Sequence, residues 1–147
     1  MNFIKNNDVR MALAPVATGT SAVSTAIIDT NGYTGVTFIT TATANVATAV
    51  LGMVVEQSDA NSTAGMSALA GASATATGTS QNDLKDKIMI VEVDKPLKRY
   101  VQATFARTVA ASTLGATIAV LHGAKKAPVV LHTSVADAAL AVEPAEA

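Results

Sequence analysis

The chain has 147 residues, half of them hydrophobic, with only 3% aromatic and 14% charged side chains. That length suits one domain rather than two, and a formal net charge of −1 supplies no whole-chain attraction to nucleic acid. The absence of Cys excludes disulfides, thiolate metal sites and a cysteine nucleophile.

Residues 1–20 mix polar residues with scattered apolar ones (Phe3, Ile4, Val9, Met11, Leu13), followed by Pro15 and Gly19, with no sustained period. They read as an extended N-terminal arm, either disordered or docked on a neighbour. The polar start lacks an apolar core segment of the secretory type, so no signal peptide is expected there and cytoplasmic synthesis is. A sandwich domain is expected over 21–132. Ser24–Ile28 is its first strand, and Asn31-Gly32 supplies the positive φ angles of a tight turn. Gly35–Thr41 is dominated by β-branched and aromatic residues, with Val36 and Phe38 on one face and Thr37 and Ile39 on the other. A small polar link over 40–45 precedes a longer apolar strand over 47–57, in which Gly52 marks a bulge or a close contact. Its apolar run, Ala49–Val55, is far shorter than the ~20 residues of a membrane-spanning helix, so the mean hydropathy of +0.38 implies no membrane partner.

Residues 58–82 carry few large side chains and read as a long small-residue loop, mobile or binding. Order returns over 87–93, Pro96 marks a turn, and 98–107 form a strand. In it Arg99, Val101, Ala103, Phe105 and Arg107 share one face. Further strands are expected over 113–122 and 128–131. The C-terminal tail, 133–147, is Ala-rich; 134–142 suit a short helix that Pro144 stops. Seven or eight short strands without a long amphipathic helix predict an all-β fold, an antiparallel β-sandwich or jelly roll. Strands apolar on both faces suit a sandwich interior or a subunit contact. About a third of the residues are Ala or Thr, and such small side chains bury little area each, at roughly 25 cal/mol per Å². A thin core favours burial between copies, so a homo-oligomer, dimer or trimer, is expected.

The chemistry-bearing residues form no catalytic motif. His122 and His132 sit near the ends of the last two predicted strands, where they would meet only across a hairpin. A metal site needs a third ligand and a supporting shell, and no HxH or HExxH spacing exists, so strand-end histidines in solvent are the better reading. Asp29, Glu56, Asp59, Asp83, Asp86, Glu92 and Asp94 mostly border turns. There is no G-x-S-x-G elbow and no phosphate loop, so the expectation is a non-enzyme with no catalytic residue, metal or cofactor. Tyr33 and Tyr100 lie near turns, exposed or pinning strand ends, and a glycan-binding sandwich would want more aromatic residues. The basic residues Lys95, Lys98, Arg99, Arg107, Lys125 and Lys126 read as a solvated rim or a contact to an acidic partner, with no nucleic-acid partner expected.

The order of elements resembles the small head-decoration (cement) proteins of tailed bacteriophages. The resemblance rests on Ala26–Tyr33 leading into Val36–Ile39, then Val54–Asp59, Lys98–Val101 and Gly115–Leu121, and covers roughly 22–130. It implies a virion protein that binds the outer surface of a capsid and braces joints between subunits of the major capsid protein. The chain departs from the group in lacking an aromatic residue over 58–82, which puts that loop's contact role in doubt. By this reading the contact would lie on the arm, the 58–82 loop and the tail, segments without a core of their own. A tail or fibre component, or a ligand- or glycan-binding sandwich, are the alternatives.

Overall fold

The computed structural model describes residues 2–141 and shows two antiparallel sheets packed face to face, a β-sandwich. A short helix, α1 (Phe3–Asn6), precedes ten strands: β1 (Asp8–Leu13), β2 (Val16–Gly19), β3 (Val23–Ser24), β4 (Ile28–Asp29), β5 (Gly35–Asn45), β6 (Val50–Ser58), β7 (Ser67–Thr77), β8 (Lys87–Asp94), β9 (Tyr100–Thr108) and β10 (Ser112–His122). Sheet A runs β1-β10-β5-β8, with β2 also on β10; sheet B runs β3-β9-β6-β7, with β4 also on β9. Among the described residues, no helix is long and apolar enough to cross a membrane.

Alternation explains the layering. In β5, Val36, Phe38, Thr40 and Ala42 are buried while Thr37, Ile39 and Thr41 lie on the outer face. In β9, Val101, Ala103, Phe105 and Arg107 point inward. Phe38, Phe105, Leu51, Met53, Leu114 and Leu121 are the largest fully buried apolar side chains. The connections from β5 to β6 and from β9 to β10 span only residues 46–49 and 109–111. Each pair therefore arches from one sheet to the other and stacks across the core. At the first arch the buried Asn45 donates to the carbonyls of Val46 (2.8 Å) and Ser80 (3.1 Å) and accepts from the Leu84 N–H (2.9 Å). One side chain thus fixes the connection over 78–86, and its own buried amide is satisfied on both its nitrogen and its oxygen.

Several segments differ from their sequence reading; the strand expected over Ser24–Ile28 is two short pieces, β3 and β4. Residues 8–13 and 16–19 are extended, as an arm would be, but they dock on the chain's own β10; Pro15 merely splits one long edge strand in two. The 58–82 segment is not one loop. Its residues 67–77 form β7 against β6, because a backbone ladder needs no large side chains. The 40–45 link is strand, and Gly52 pairs in regular register with Thr75 and Ala106; the irregularity instead lies where Val54 and Glu56 face Ser73 and Ala68. Residues 128–131 form no strand, and no helix occupies 134–141; residues 142–147, with Pro144, lie outside the described residues.

The tail is nonetheless attached. The Val129 N–H donates to the Lys5 carbonyl (2.9 Å), the His132 N–H to Asp8 Oδ1 (2.9 Å), and the Met11 N–H to Ser134 Oγ (3.0 Å). These contacts advance together along both segments, so 129–134 run parallel to β1 and cover its outer edge. Asp8 is buried, and its other oxygen takes Arg10 Nε at 2.7 Å.

Candidate functional site: the outer face of sheet A

Register aligns the outward side chains of sheet A into rows. One row reads Met11–Ile118–Ile39–Ile90 across all four strands. Beside it runs Val9–Val120–Thr37–Glu92, and beyond it Ile88 faces Thr41. Glu92 is the one charged side chain in these rows. Met11 is 49% exposed, Ile118 37%, Ile90 56% and Ile88 61%, so water meets a contiguous aliphatic surface. At the end of the face, Phe3 of α1, Asn7, Thr37, Ile39, Val120 and His122 line a shallow cleft of about 350 Å³.

The outer face of sheet B is chemically different. Its central strands present Thr104, Ala106 and Thr108 beside Gly52 and Val54, and β7 adds Ser73, Thr75 and Thr77. Thr104 there bonds both Ser24 and Glu56. One side of the sandwich is thus hydroxyl-rich and small, the other bulky and apolar. Isolated exposed hydrophobics need no explanation, whereas the largest contiguous apolar patch of a monomer, a few hundred Å², is often functional. Four strands at about 4.8 Å spacing and three rows at about 6.7 Å give this face on the order of 400 Å².

The histidines do not meet. His122 ends β10 on the outer face, its Nε2 3.2 Å from Glu92 Oε1; that approach is not aligned as a hydrogen bond and leaves Nε2 without a hydrogen-bond partner. His132 lies in the tail beside Ser134 (2.9 Å). No group of three His, Asp or Glu side chains is placed to hold a metal among the described residues. The carboxylates disperse rather than pair: Asp29 holds Arg99 through two bonds (2.8 and 2.7 Å), Asp59 meets Lys98 (3.2 Å), and Asp83 accepts from the Ser80 N–H. The Arg99 guanidinium holds the Asp29 carboxyl below its ordinary pKa.

Tyr33 packs against the core rather than standing free, and burial raises its hydroxyl pKa. Tyr100 lies under the Arg99 guanidinium, 5.2 Å from the ring centre. Of the basic residues, Arg107 belongs to no solvated rim. It is only 4% exposed and donates to the carbonyls of Ser21 (2.8 Å), Ala17 (2.7 Å) and Ser112 (3.0 Å). Arg99 and Arg107 flank opposite ends of β9, so no single basic patch contains both.

Sequence reading missed the apolar face as a site. Its signal lay in the two-sided run Ile88-Met89-Ile90-Val91, of which one half is core and the other half outward. No family model matches the chain, and no curated protein matches it.

Proposed function

We propose that this chain is a non-enzymatic structural protein of a phage virion, binding the outside of the capsid and bracing contacts between major capsid subunits. The observation that supports it is the outer face of sheet A, broad, shallow and nearly uncharged. A surface of that shape suits another protein surface better than a small ligand, which prefers a concave pocket with a few converging polar groups. At on the order of 400 Å², the face supplies about half of one partner's share of an ordinary interface. The cleft at Phe3 and the tail beside β1 adjoin it and supply more. Repeated over a shell, modest contacts of this kind reinforce one another when each copy bridges two subunits. The resemblance to head-decoration proteins supplies the identity of the partner.

The test is to quantify the chain against the major capsid protein in purified particles by mass spectrometry. A near-integral ratio is expected, with heads that lack the chain bursting at lower temperature. Rebinding to such heads should be lost in Ile118→Lys, which sets a charge in the middle of the apolar row. A few copies per particle would reassign the chain to the tail or a fibre. Absence from particles would refute the proposal.

A further inference from the structure

The chain has five methionines and no cysteine, so thioethers are its only oxidisable sulfur. Their surroundings divide them. Met53 and Met89 point into the core from β6 and β8 and are buried. Met66 is half-buried just before β7, in sheet B's part of the molecule; Met1 lies outside the described residues. Met11 differs from the others described. Its side chain is half exposed on the outer face of sheet A, opposite Ile118, and it begins the row that continues to Ile39 and Ile90. The rest of that row is isoleucine, which mild oxidants leave alone. One position in the apolar row is therefore chemically labile.

We infer that Met11 is a redox-sensitive site: a peroxide converts its thioether to the sulfoxide and sets a polar group into the apolar face of sheet A. The sulfur lone pair attacks the peroxide, and an S–O bond forms as the O–O bond breaks. The proton on the transferred oxygen passes to the departing hydroxide, which leaves as water. Sulfur is oxidised and the peroxide reduced, with no further reactant. The product is a strong acceptor without a donor. Its neighbours on this face, Val9 on β1 and Ile118 on β10, carry no polar side-chain atom. Ser134 Oγ already accepts from the Met11 N–H (3.0 Å) and bonds His132 Nδ1 (2.9 Å). Covering the oxidised face would therefore strand a polar oxygen, which is costly in any apolar contact. The fold itself is spared. The tail holds Met11 through its backbone N–H rather than its sulfur, and so does the ladder to β10. Sulfoxide reductases return the side chain to methionine, so the change is reversible. Its consequence for binding to heads rests on the proposed function; the oxidation and the loss of surface apolarity do not.

The test treats the full chain with dilute hydrogen peroxide and follows each methionine by peptide mass spectrometry. Met11 should gain its oxygen well before Met53 and Met89, because exposure governs access to the sulfur. The oxidised chain should elute earlier from a hydrophobic-interaction column, with its circular dichroism unchanged, and should lose rebinding to heads that lack it. Met11→Leu, which keeps the bulk and apolarity of the side chain, should retain both properties after the same treatment. Sulfoxide reductases for the two sulfoxide epimers, used together, should restore both to the wild type. Met11 oxidised no faster than the core methionines would overturn the inference. So would unchanged elution once Met11 is oxidised, or an equal shift in Met11→Leu, which would place the sensitive sulfur elsewhere. Earlier elution with rebinding intact would keep Met11 as the redox site and remove the apolar face as the contact to heads. An untreated chain that never binds heads would refute the proposed function and leave the oxidation and elution results standing.

Discussion

Replacing Arg107 with methionine keeps most of the aliphatic bulk and removes the guanidinium that ties β2, the sheet crossover and the start of β10 to β9. Its three acceptors are the backbone carbonyls of Ala17, Ser21 and Ser112, at 2.7–3.0 Å. Bonds from a charged donor contribute about 1.5–3 kcal/mol each. Burying a guanidinium without a carboxylate costs several kcal/mol in return, so the net loss expected for Arg107→Met is about 3–5 kcal/mol. With an unfolding entropy of about 2.1 cal/mol/K per residue, 1 kcal/mol moves the Tm of a chain this long by about 3 °C. The variant should therefore melt roughly 10–16 °C lower in a circular-dichroism scan. Arg107→Lys should fall between, because one ammonium cannot hold three acceptors spread around a planar fork. Salt should change the difference little, since the partners are carbonyls rather than carboxylates and Arg107 is itself buried. A drop below about 3 °C for Arg107→Met, equivalent to about 1 kcal/mol, would refute the assignment of Arg107 as the crossover's anchor.

Phe38→Ala, at a fully buried position, should cost about 3–5 kcal/mol in urea unfolding, with the m-value unchanged. Gly35→Ala should destabilise the end of sheet A, because a Cβ there would run into the His122 ring and approach the Val93 carbonyl oxygen to 2.7 Å; thermal melting reads the loss, and adding His122→Ala should recover part of it. Asp8→Ala should free the tail, seen as faster amide hydrogen exchange over 129–134 with the centre of sheet A still protected. Asp29→Asn should lower the Tm slightly at neutral pH. Asp29's carboxyl has its folded pKa lowered from 3.8, so its contribution is present above that value and lost as pH falls through the lower folded one. The gap between the two proteins should close in acid, and the pair's exposure keeps it small throughout.

The central strands were legible because their local chemistry matches their place. Val36 and Phe38 alternate with threonine, and Val101, Ala103 and Phe105 share a face that proves to be core. Pairing across long sequence distances was not legible. Nothing near Val9 or Met11 says that Val120 and Ile118 lie beside them, so an edge strand reads as an arm. β7 was hidden for another reason. Ala, Ser, Thr and Gly have weak strand preference, and its pairing comes from β6. Arg107 looked like solvent chemistry because sequence does not show that three carbonyls converge on it. The apolar face fell between these cases: the outward isoleucines were visible, but their alignment into a row is a property of register.

The pairing of β1 with β10 sets an order of events in time. β1 leaves the ribosome about a hundred residues before β10, which holds its hydrogen-bond partners; at about 5–20 residues per second that is a delay of roughly 5–20 s. Neither sheet can close until β9 and β10 have emerged, because each is the inner neighbour of the N-terminal strands. A chain cut short before Ser112 therefore loses a central strand of sheet A and cannot keep a stable half. Folding waits for β10, and the tail that covers β1 is the last described segment to arrive.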